Sequence, residues 1–342
     1  MLYIDGSYGE GGGQILRTAV SLSVLTNTPI TVDHIRSNRS NPGLRPQHQI
    51  GLSVMKELSS AETKGLTIGS SKIEFIPHHL KPGSYEFDIG TAGSMVLVFQ
   101  TILLGMLQTS QPVHVKLCGG SDVKWSPSWD YFQHVFLPVI QQMGVSVSAR
   151  LFKRGYYPKG GGEAELSIAP IKNELSPIVF ESFHPKHVYG LIHLAHLPDH
   201  IAKRMKHTVM KKAVPNDIVA NIQTETVESL SSGVGLTLWT EEDGGKFGSL
   251  SLGEKGIPAE KVGERAVDSI IADISSGATI DLWLSDQILP YLVLASERSL
   301  FRVRKLTGHC QTNMWVVKRF FENLDFSIVE EKDCVMVSCE VD

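Results

Sequence analysis

Near its carboxyl end the chain runs Gly308-His309-Cys310-Gln311-Thr312-Asn313, and an amphipathic stretch from Met314 to Leu324 follows with apolar Trp315, Val316, Phe320 and Leu324. This spacing predicts a helix with Thr312 as its N-cap and His309 just ahead of it. A helix N-terminus carries unpaired N–H groups and partial positive charge, which attract phosphate and disfavour an imidazolium. A histidine there stays neutral. Neutral imidazole can attack an activated phosphate to form a phosphoramidate, dividing one hard transfer into two easier ones. As one of thirteen histidines, His309 could equally pack or cap.

At the other end, Asp5-Gly6-Ser7-Tyr8-Gly9-Glu10-Gly11-Gly12-Gly13-Gln14-Ile15-Leu16-Arg17 is a glycine-dense loop running into an apolar segment of helical character. Backbone without side chains can approach a triphosphate closely, while Glu10 could hold a divalent cation and Arg17 a phosphate. The loop is not a Walker A element, since no Gly-Lys-Ser/Thr follows. Nor does it keep the Rossmann spacing, whose third glycine would fall on Gln14. By itself it also reads as a plain strand-to-helix turn.

These segments do not stand alone. The run Ile35-Arg36-Ser37-Asn38-Arg39-Ser40-Asn41-Pro42-Gly43-Leu44 is followed by Gln47-His48, and then come Gly93-Ser94 with Gln100. Arg154-Gly155-Tyr156-Tyr157-Pro158-Lys159-Gly160-Gly161-Gly162 and Ser285-Asp286-Gln287 complete the set. With the glycine loop and the His-x-x-Thr-Asn element, this ordered set resembles the RNA 3′-terminal phosphate cyclase family across nearly the whole chain.

The resemblance implies conversion of an RNA 3′-phosphate to a 2′,3′-cyclic phosphate, with ATP and Mg²⁺ or Mn²⁺. AMP would pass to His309 as covalent nucleophile, and then to the RNA phosphate. Glu10 matches the metal position. Arg17, Arg36, Arg39, Gln47 and Gln100 match positions near the phosphates, and Pro127, Tyr131, Trp283, Asp286 and Gln287 match the nucleoside pocket. Trp283 stands where an aromatic of another type is expected. Two relatives are rivals: a non-adenylating, cyclase-like ribosome-biogenesis protein, which has no need of His309, and an enolpyruvyl transferase, which lacks the His-x-x-Thr-Asn element.

Composition is compatible with this reading. With 342 residues, 42% of them hydrophobic, the chain can bury a sizeable core and suggests two domains, or one with an insertion. The formal net charge of −4 argues against a general nucleic-acid coat, so any RNA contact should be local. Basic residues cluster at Arg36, Arg39 and Arg45, at Lys153, Arg154 and Lys159, and at Arg302, Arg304 and Lys305. Each could be solvated surface, although Asn41-Pro42-Gly43 would hold the first group outward. Cys118, Cys310, Cys334 and Cys339 form no CxxC pair, so neither zinc nor disulfides are indicated. Apolar runs are too short for a membrane span, and a basic leader is absent, so the expected setting is the cytoplasm.

Positioning these groups falls to repeated elements. Glu10 to Val32 and Gly93 to Val115 overlay without a gap, each passing from glycine through an apolar helix to a Pro-led strand, with Pro29 on Pro112. Ser285 to Val303 has the same helix-then-strand character. Second helices are predicted at Gln47 to Leu58 and Trp129 to Met143, with strands at Ser71 to Ile76 and Val145 to Leu151. Helix pairs backing small sheets point to an α+β fold. From Phe183 to about Ser276 the texture changes, with a Lys/His-rich helix face at Lys203 to Lys212, a polar glycine-rich stretch and a helix from Pro258 to Ile274. The expectation is a large domain (residues 1–182 and 277–342) holding a small inserted one (183–276), and the resemblance implies the same: three similar units with a small thioredoxin-like insert.

Overall fold

The computed structural model describes residues 1–341. Strand β1 (Leu2–Asp5) pairs in parallel with β2 (Ile30–Asp33), and α1 (Gly13–Leu25) makes the crossover between them. Helix α2 (Pro46–Leu58) leads to antiparallel β3 (Glu62–Lys64) and β4 (Ile73–Ile76), giving the order β1-β2-β4-β3. Alternation decides the buried face: Ile30, Val32, Ile73 and Phe75 are all inside.

The pattern then recurs. Strand β5 (Gly83–Asp88) is joined by α3 (Met95–Gly105) to parallel β6 (Val113–Gly119), and β7 (Val147–Lys153) and β8 (Gly162–Ile168) complete the order β5-β6-β8-β7. Helices α4 (Trp129–Tyr131) and α5 (Leu137–Gln142) are linked by a π turn at Phe132–Phe136. Pro138, which cannot donate to the helical ladder, is the second residue after that turn.

A three-stranded sheet has the order β13-β15-β14, from β13 (Ser299–Val303), β15 (Val335–Val341) and β14 (Leu324–Glu330), with helices α8 (Leu282–Leu292) and α9 (Gly308–Lys318). Residues 178–180 run parallel beside β13, where Leu300 N donates to Ile178 O and Phe180 N to Leu300 O. The fourth sheet, β10-β9-β11-β12, is built from β9 (His187–Ala195), β10 (Val219–Thr226), β11 (Gly233–Trp239) and β12 (Gly248–Leu252). Helices α6 (His200–Ala213) and α7 (Ala259–Ser275) pack against it. On α6, Ala202, Met205 and Val209 face inward while Lys203, Lys206 and Lys211 are exposed, so the Lys/His run is a solvated face. The fold is thus a mixed one of small sheets and helices, as an α+β class requires.

Two apolar clusters fill it. One takes Ile15, Leu16, Phe99, Phe132, Phe301 and Val316 among others, and the second is drawn from Phe183, Ile192, Met205, Leu236 and Val262. In the first, α1 packs between α3 and α9. Among the described residues no helix is long and apolar enough to cross a membrane.

One expected element is displaced. The helix expected at Met314 to Leu324 begins earlier, because Thr307 rather than Thr312 is its N-cap, with Thr307 Oγ1 accepting from Cys310 N at 3.0 Å. Thr312 Oγ1 donates to Gly308 O within the first turns, and Leu324 instead opens β14. His309 therefore lies in the first turn of the helix and not in the loop before it.

Candidate active site

The first turn of α9 brings the His309 ring between two carboxylates. Nε2 is 2.9 Å from Glu10 Oε2, and Nδ1 is 3.8 Å from Asp286 Oδ2. Glu10 comes from the loop between β1 and α1, where Gly9 (φ +55°) and Gly11 (φ +56°) adopt left-handed backbone that glycine enters without strain. Across from it, a Cβ on Gly308 would fall 2.6 Å from Glu10 Oε1. A side chain there would displace the carboxylate from its present contact with the imidazole.

Helices α1, α8 and α9 are locked together under the ring. Gln14 Nε2 donates to Asp286 Oδ2 at 2.7 Å and to His309 O at 3.3 Å. Asn313 Nδ2 donates to Asp286 O at 2.7 Å and its Oδ1 accepts from Thr18 Oγ1 at 2.9 Å. Neither Gln14 nor Asn313 stood among the predicted site residues, although both lie within the quoted motifs. Their partners are far along the chain, and nothing local in sequence reports them.

Arg17 follows Gln14 on α1. Its guanidinium makes no hydrogen bond to a described residue, and burial pulls its pKa down to about 10 against the opposing pull of Asp286. A cation enclosed in this way is completed by an anion. Arg39 approaches from the next loop, 3.4 Å from Glu10 Oε2. Burial also lowers the His309 pKa; Glu10 opposes this, while Arg17 and Arg39 add to it. The balance favours the neutral imidazole. Burial pushes the Asp286 carboxyl up to about 7, with Arg17 and Gln14 lowering it and Asp281 raising it.

His48 packs edge-on against the start of α1, where a Cβ on Gly13 would meet Nε2. Burial and then Arg17, Arg36 and Arg45 lower its pKa to about 3, so it too is neutral. Cys310 is buried and its thiol is pushed up to about 12 by burial, which leaves it inert.

The remaining predicted residues divide. Gln100 donates to Gln287, and Gln287 in turn donates to Trp283 O, so α3 and α8 meet beside Asp286. Trp283 is half exposed in the first turn of α8. Gln47 sits at the start of α2, next to Gly93. Arg36 has left-handed backbone (φ +55°) and its guanidinium donates to Asn41 O and Gly43 O, bracing its own loop. Tyr131 is wholly buried, its hydroxyl donating to Asp281, the N-cap of α8. Pro127 immediately precedes Ser128, the N-cap of α4. Among the described residues no hydrogen bond or ion pair joins Arg36, Pro127 or Tyr131 to Glu10, Asp286 or His309.

A divalent ion here would find one protein carboxylate, Glu10, half exposed and next to the cationic groups. Mg²⁺ and Mn²⁺ favour such sites, taking one carboxylate and completing their shell with substrate phosphates and water. The donor set fits a metal that arrives with a nucleotide.

The chain as a whole is similar to proteins of one family. A family model described as RNA 3′-terminal phosphate cyclase matches residues 8–328. A protein named RNA 3′-terminal phosphate cyclase from Methanosarcina barkeri is 40% identical over 338 residues, covering 99% of each chain. Proteins of the same name from Archaeoglobus fulgidus (41% over 320 residues, 94% of this chain and 95% of the other) and Pyrococcus furiosus (40% over 323 residues, 94% and 93%) are similarly close.

Proposed function

Because the chain belongs to the RNA 3′-terminal phosphate cyclase family, we propose that it uses ATP to close an RNA 3′-phosphate into a 2′,3′-cyclic phosphodiester through a histidine–AMP intermediate. The observation that carries this reading is a neutral His309 held between Glu10 and Asp286, with the unpartnered Arg17 beside it.

A phosphate monoester has no good leaving group, so the neighbouring O2′ cannot displace anything from it directly. In the proposed sequence an imidazole nitrogen of His309 attacks the α-phosphorus of ATP, an N–P bond forms and pyrophosphate leaves. Glu10 Oε2, 2.9 Å from Nε2, can only accept a proton there, so Nε2 would present its lone pair once Glu10 turns to the divalent ion and the proton rests on Nδ1, which faces Asp286. An oxygen of the RNA 3′-phosphate then attacks the same phosphorus, breaking the N–P bond and returning neutral imidazole. O2′ finally attacks the 3′-phosphorus, AMP departs, and the hydroxyl proton passes to solvent.

Arg17 and Arg39 are assigned to the triphosphate and the RNA phosphate, for which the guanidinium fork is suited. Glu10 would hold the divalent ion, which neutralises triphosphate charge when bound. Trp283, Gln287 and Gln100 border the nucleoside side, and the exposed indole offers a face for the base. Pro127 and Tyr131 support that side through the N-termini of α4 and α8. Arg36 and Gln47 are assigned to the phosphate side, Arg36 by bracing the loop that also carries Arg39. The cytoplasm, with its RNA ends and ATP, is the proposed setting.

The architecture is proposed to be three similar units, the third interrupted by a thioredoxin-like insert at 183–276. The matching orders β1-β2-β4-β3 and β5-β6-β8-β7 support it, as does the placement of residues 178–180 against β13.

The test is covalent labelling. The chain, incubated with α-labelled ATP and metal and then denatured, should carry an acid-labile, base-stable AMP adduct, and folded His309→Ala should carry none. A labelled His309→Ala protein would overturn the assignment.

A further inference from the structure

A second polar cluster lies apart from His309, where the sheet carrying β9 and β10 meets the loops beyond β6 and β7. Asp122, Asp130 and His193 are all buried there, and one ligand atom from each lies within 4.8 Å of the other two. His193 Nε2 is 3.4 Å from Asp122 Oδ1 and 3.7 Å from Asp130 Oδ2, yet none of these three atoms has a hydrogen-bond partner. Three buried, unpaired atoms facing one another are costly unless something sits among them.

Every other polar atom of the group is occupied. Arg154 NH1 donates to Asp122 Oδ2 at 3.1 Å, and Ser121 Oγ donates to the same oxygen. Arg154 NH2 donates to Asp130 Oδ1 at 2.8 Å, and Arg154 Nε to Glu225 Oε1 at 2.9 Å. The Tyr156 hydroxyl lies 2.6 Å from His193 Nδ1. Each carboxylate is thus fixed through one oxygen and the imidazole through one nitrogen, and the free atom of each points inward. Outer-shell partners orient metal ligands in this way.

The fold also makes room for the rings. Gly233 and Gly235 stand on one face of β11; a Cβ on Gly233 would meet the Tyr156 ring, and one on Gly235 would lie 2.6 Å from His193 Nε2. Charge points the same way. Three carboxylates, Asp122, Asp130 and the half-exposed Glu225, gather around the single guanidinium of Arg154, a surplus that a divalent cation would balance.

We propose that Asp122, Asp130 and His193 form a binding site for a divalent transition-metal ion of the Zn²⁺ type, which ties residues of the sheet containing β9 to the body of the protein. Tetrahedral bonds of about 2.0–2.2 Å span edges of roughly 3.3–3.6 Å, close to the two nitrogen–oxygen separations observed. One imidazole and two carboxylates form a nitrogen–oxygen set that Zn²⁺ accepts, with the fourth position left to a water. This site is independent of the Glu10 position and of any nucleotide.

The test uses the full chain carrying Glu10→Ala, without nucleotide, so that the active-site carboxylate contributes no binding. After dialysis against a chelator it is titrated with Co²⁺ and then Zn²⁺. The expected result is about one equivalent of Co²⁺ with the visible absorption of a four-coordinate ion, displacement by Zn²⁺, and a Tm several degrees higher with metal than without. Adding His193→Gln should abolish the absorption and the Tm shift while the far-UV circular dichroism is kept. Asp130→Asn replaces it if that variant does not fold. No absorption and no Tm change in the Glu10→Ala chain would overturn the proposal. Undiminished Co²⁺ binding by a folded His193→Gln chain would overturn it as well. Formation of the His309 adduct is read separately, so neither result depends on the other.

Discussion

At the scale of single residues, the chemistry-bearing types were readable in the sequence, but the contacts that tune them were not. His309, Glu10 and Arg17 stand out because few side chains can be nucleophile, hard-metal ligand and phosphate clamp. The role of Gly308 emerges only in three dimensions, from the approach of Glu10. Alanine is the better helix former, so Gly308→Ala should leave the Tm unchanged or raise it slightly. The added methyl would push Glu10 off the imidazole, and adduct formation should fall roughly tenfold or more, a loss of about 1.4 kcal/mol of transition-state stabilisation. Wild-type labelling rates would show that the Glu10–His309 contact is dispensable. A second outcome concerns pH. The His309 pKa lies below its ordinary value, with burial pulling it down and Glu10 holding it up. The reactive neutral form therefore predominates above that lowered pKa and is lost as pH falls through it. Glu10→Gln removes the upward influence, so the acid limb of the adduct rate against pH, normalised to its own plateau, should move to lower pH. An unmoved limb would mean that the imidazole does not sense Glu10.

At the scale of elements, the helices were legible from periodicity but most strands, those between 183 and 276 among them, were not, and the clearest helix displacement falls at the site itself. A run of apolar residues from Met314 onward signals a helix but not its start, because the first turn of α9, Gly308-His309-Cys310-Gln311, has no apolar period of its own. Two threonines compete for the cap, and the backbone selects Thr307, which is extended (φ −80°, ψ 158°) and accepts from Cys310 N. Thr312 makes only an internal bond back to Gly308 O, of the kind that adds little to a helix. Isosteric substitution separates the two. Thr307→Val should cost about 1 kcal/mol in urea unfolding, as loss of an N-cap typically does, and Thr312→Val distinctly less. The reverse order would make the helix start at the later threonine. Since His309 depends on this first turn for its position, Thr307→Val should also slow adduct formation.

At the scale of the whole molecule, the repeat was visible because Glu10 to Val32 and Gly93 to Val115 carry the same helix and exit strand at a constant spacing, and the two sheets they enter share one strand order. The third unit proposed above has no such continuous signal. The residues beside β13, at 178–180, are separated in sequence from α8, which follows them in the spatial pattern, so no continuous window contains both. Both ends of the intervening stretch return to the same strand: Phe180 N donates to Leu300 O, and Thr279 N and Ile280 N donate to Arg302 O. A chain that leaves and re-enters at neighbouring residues can carry a separate folding unit without distorting its host. The second apolar cluster, centred on Ile192, Met205, Leu236 and Val262, gives that stretch a core of its own. If residues 183–276 do fold as a unit, native-state hydrogen exchange under rising denaturant should show the amides of β9 to β12 merging into one opening reaction. That reaction should differ in free energy from the one shared by β1 to β8. A single opening free energy common to all four sheets would instead make the chain one cooperative body, with the cluster around Arg154 as part of an undivided interior.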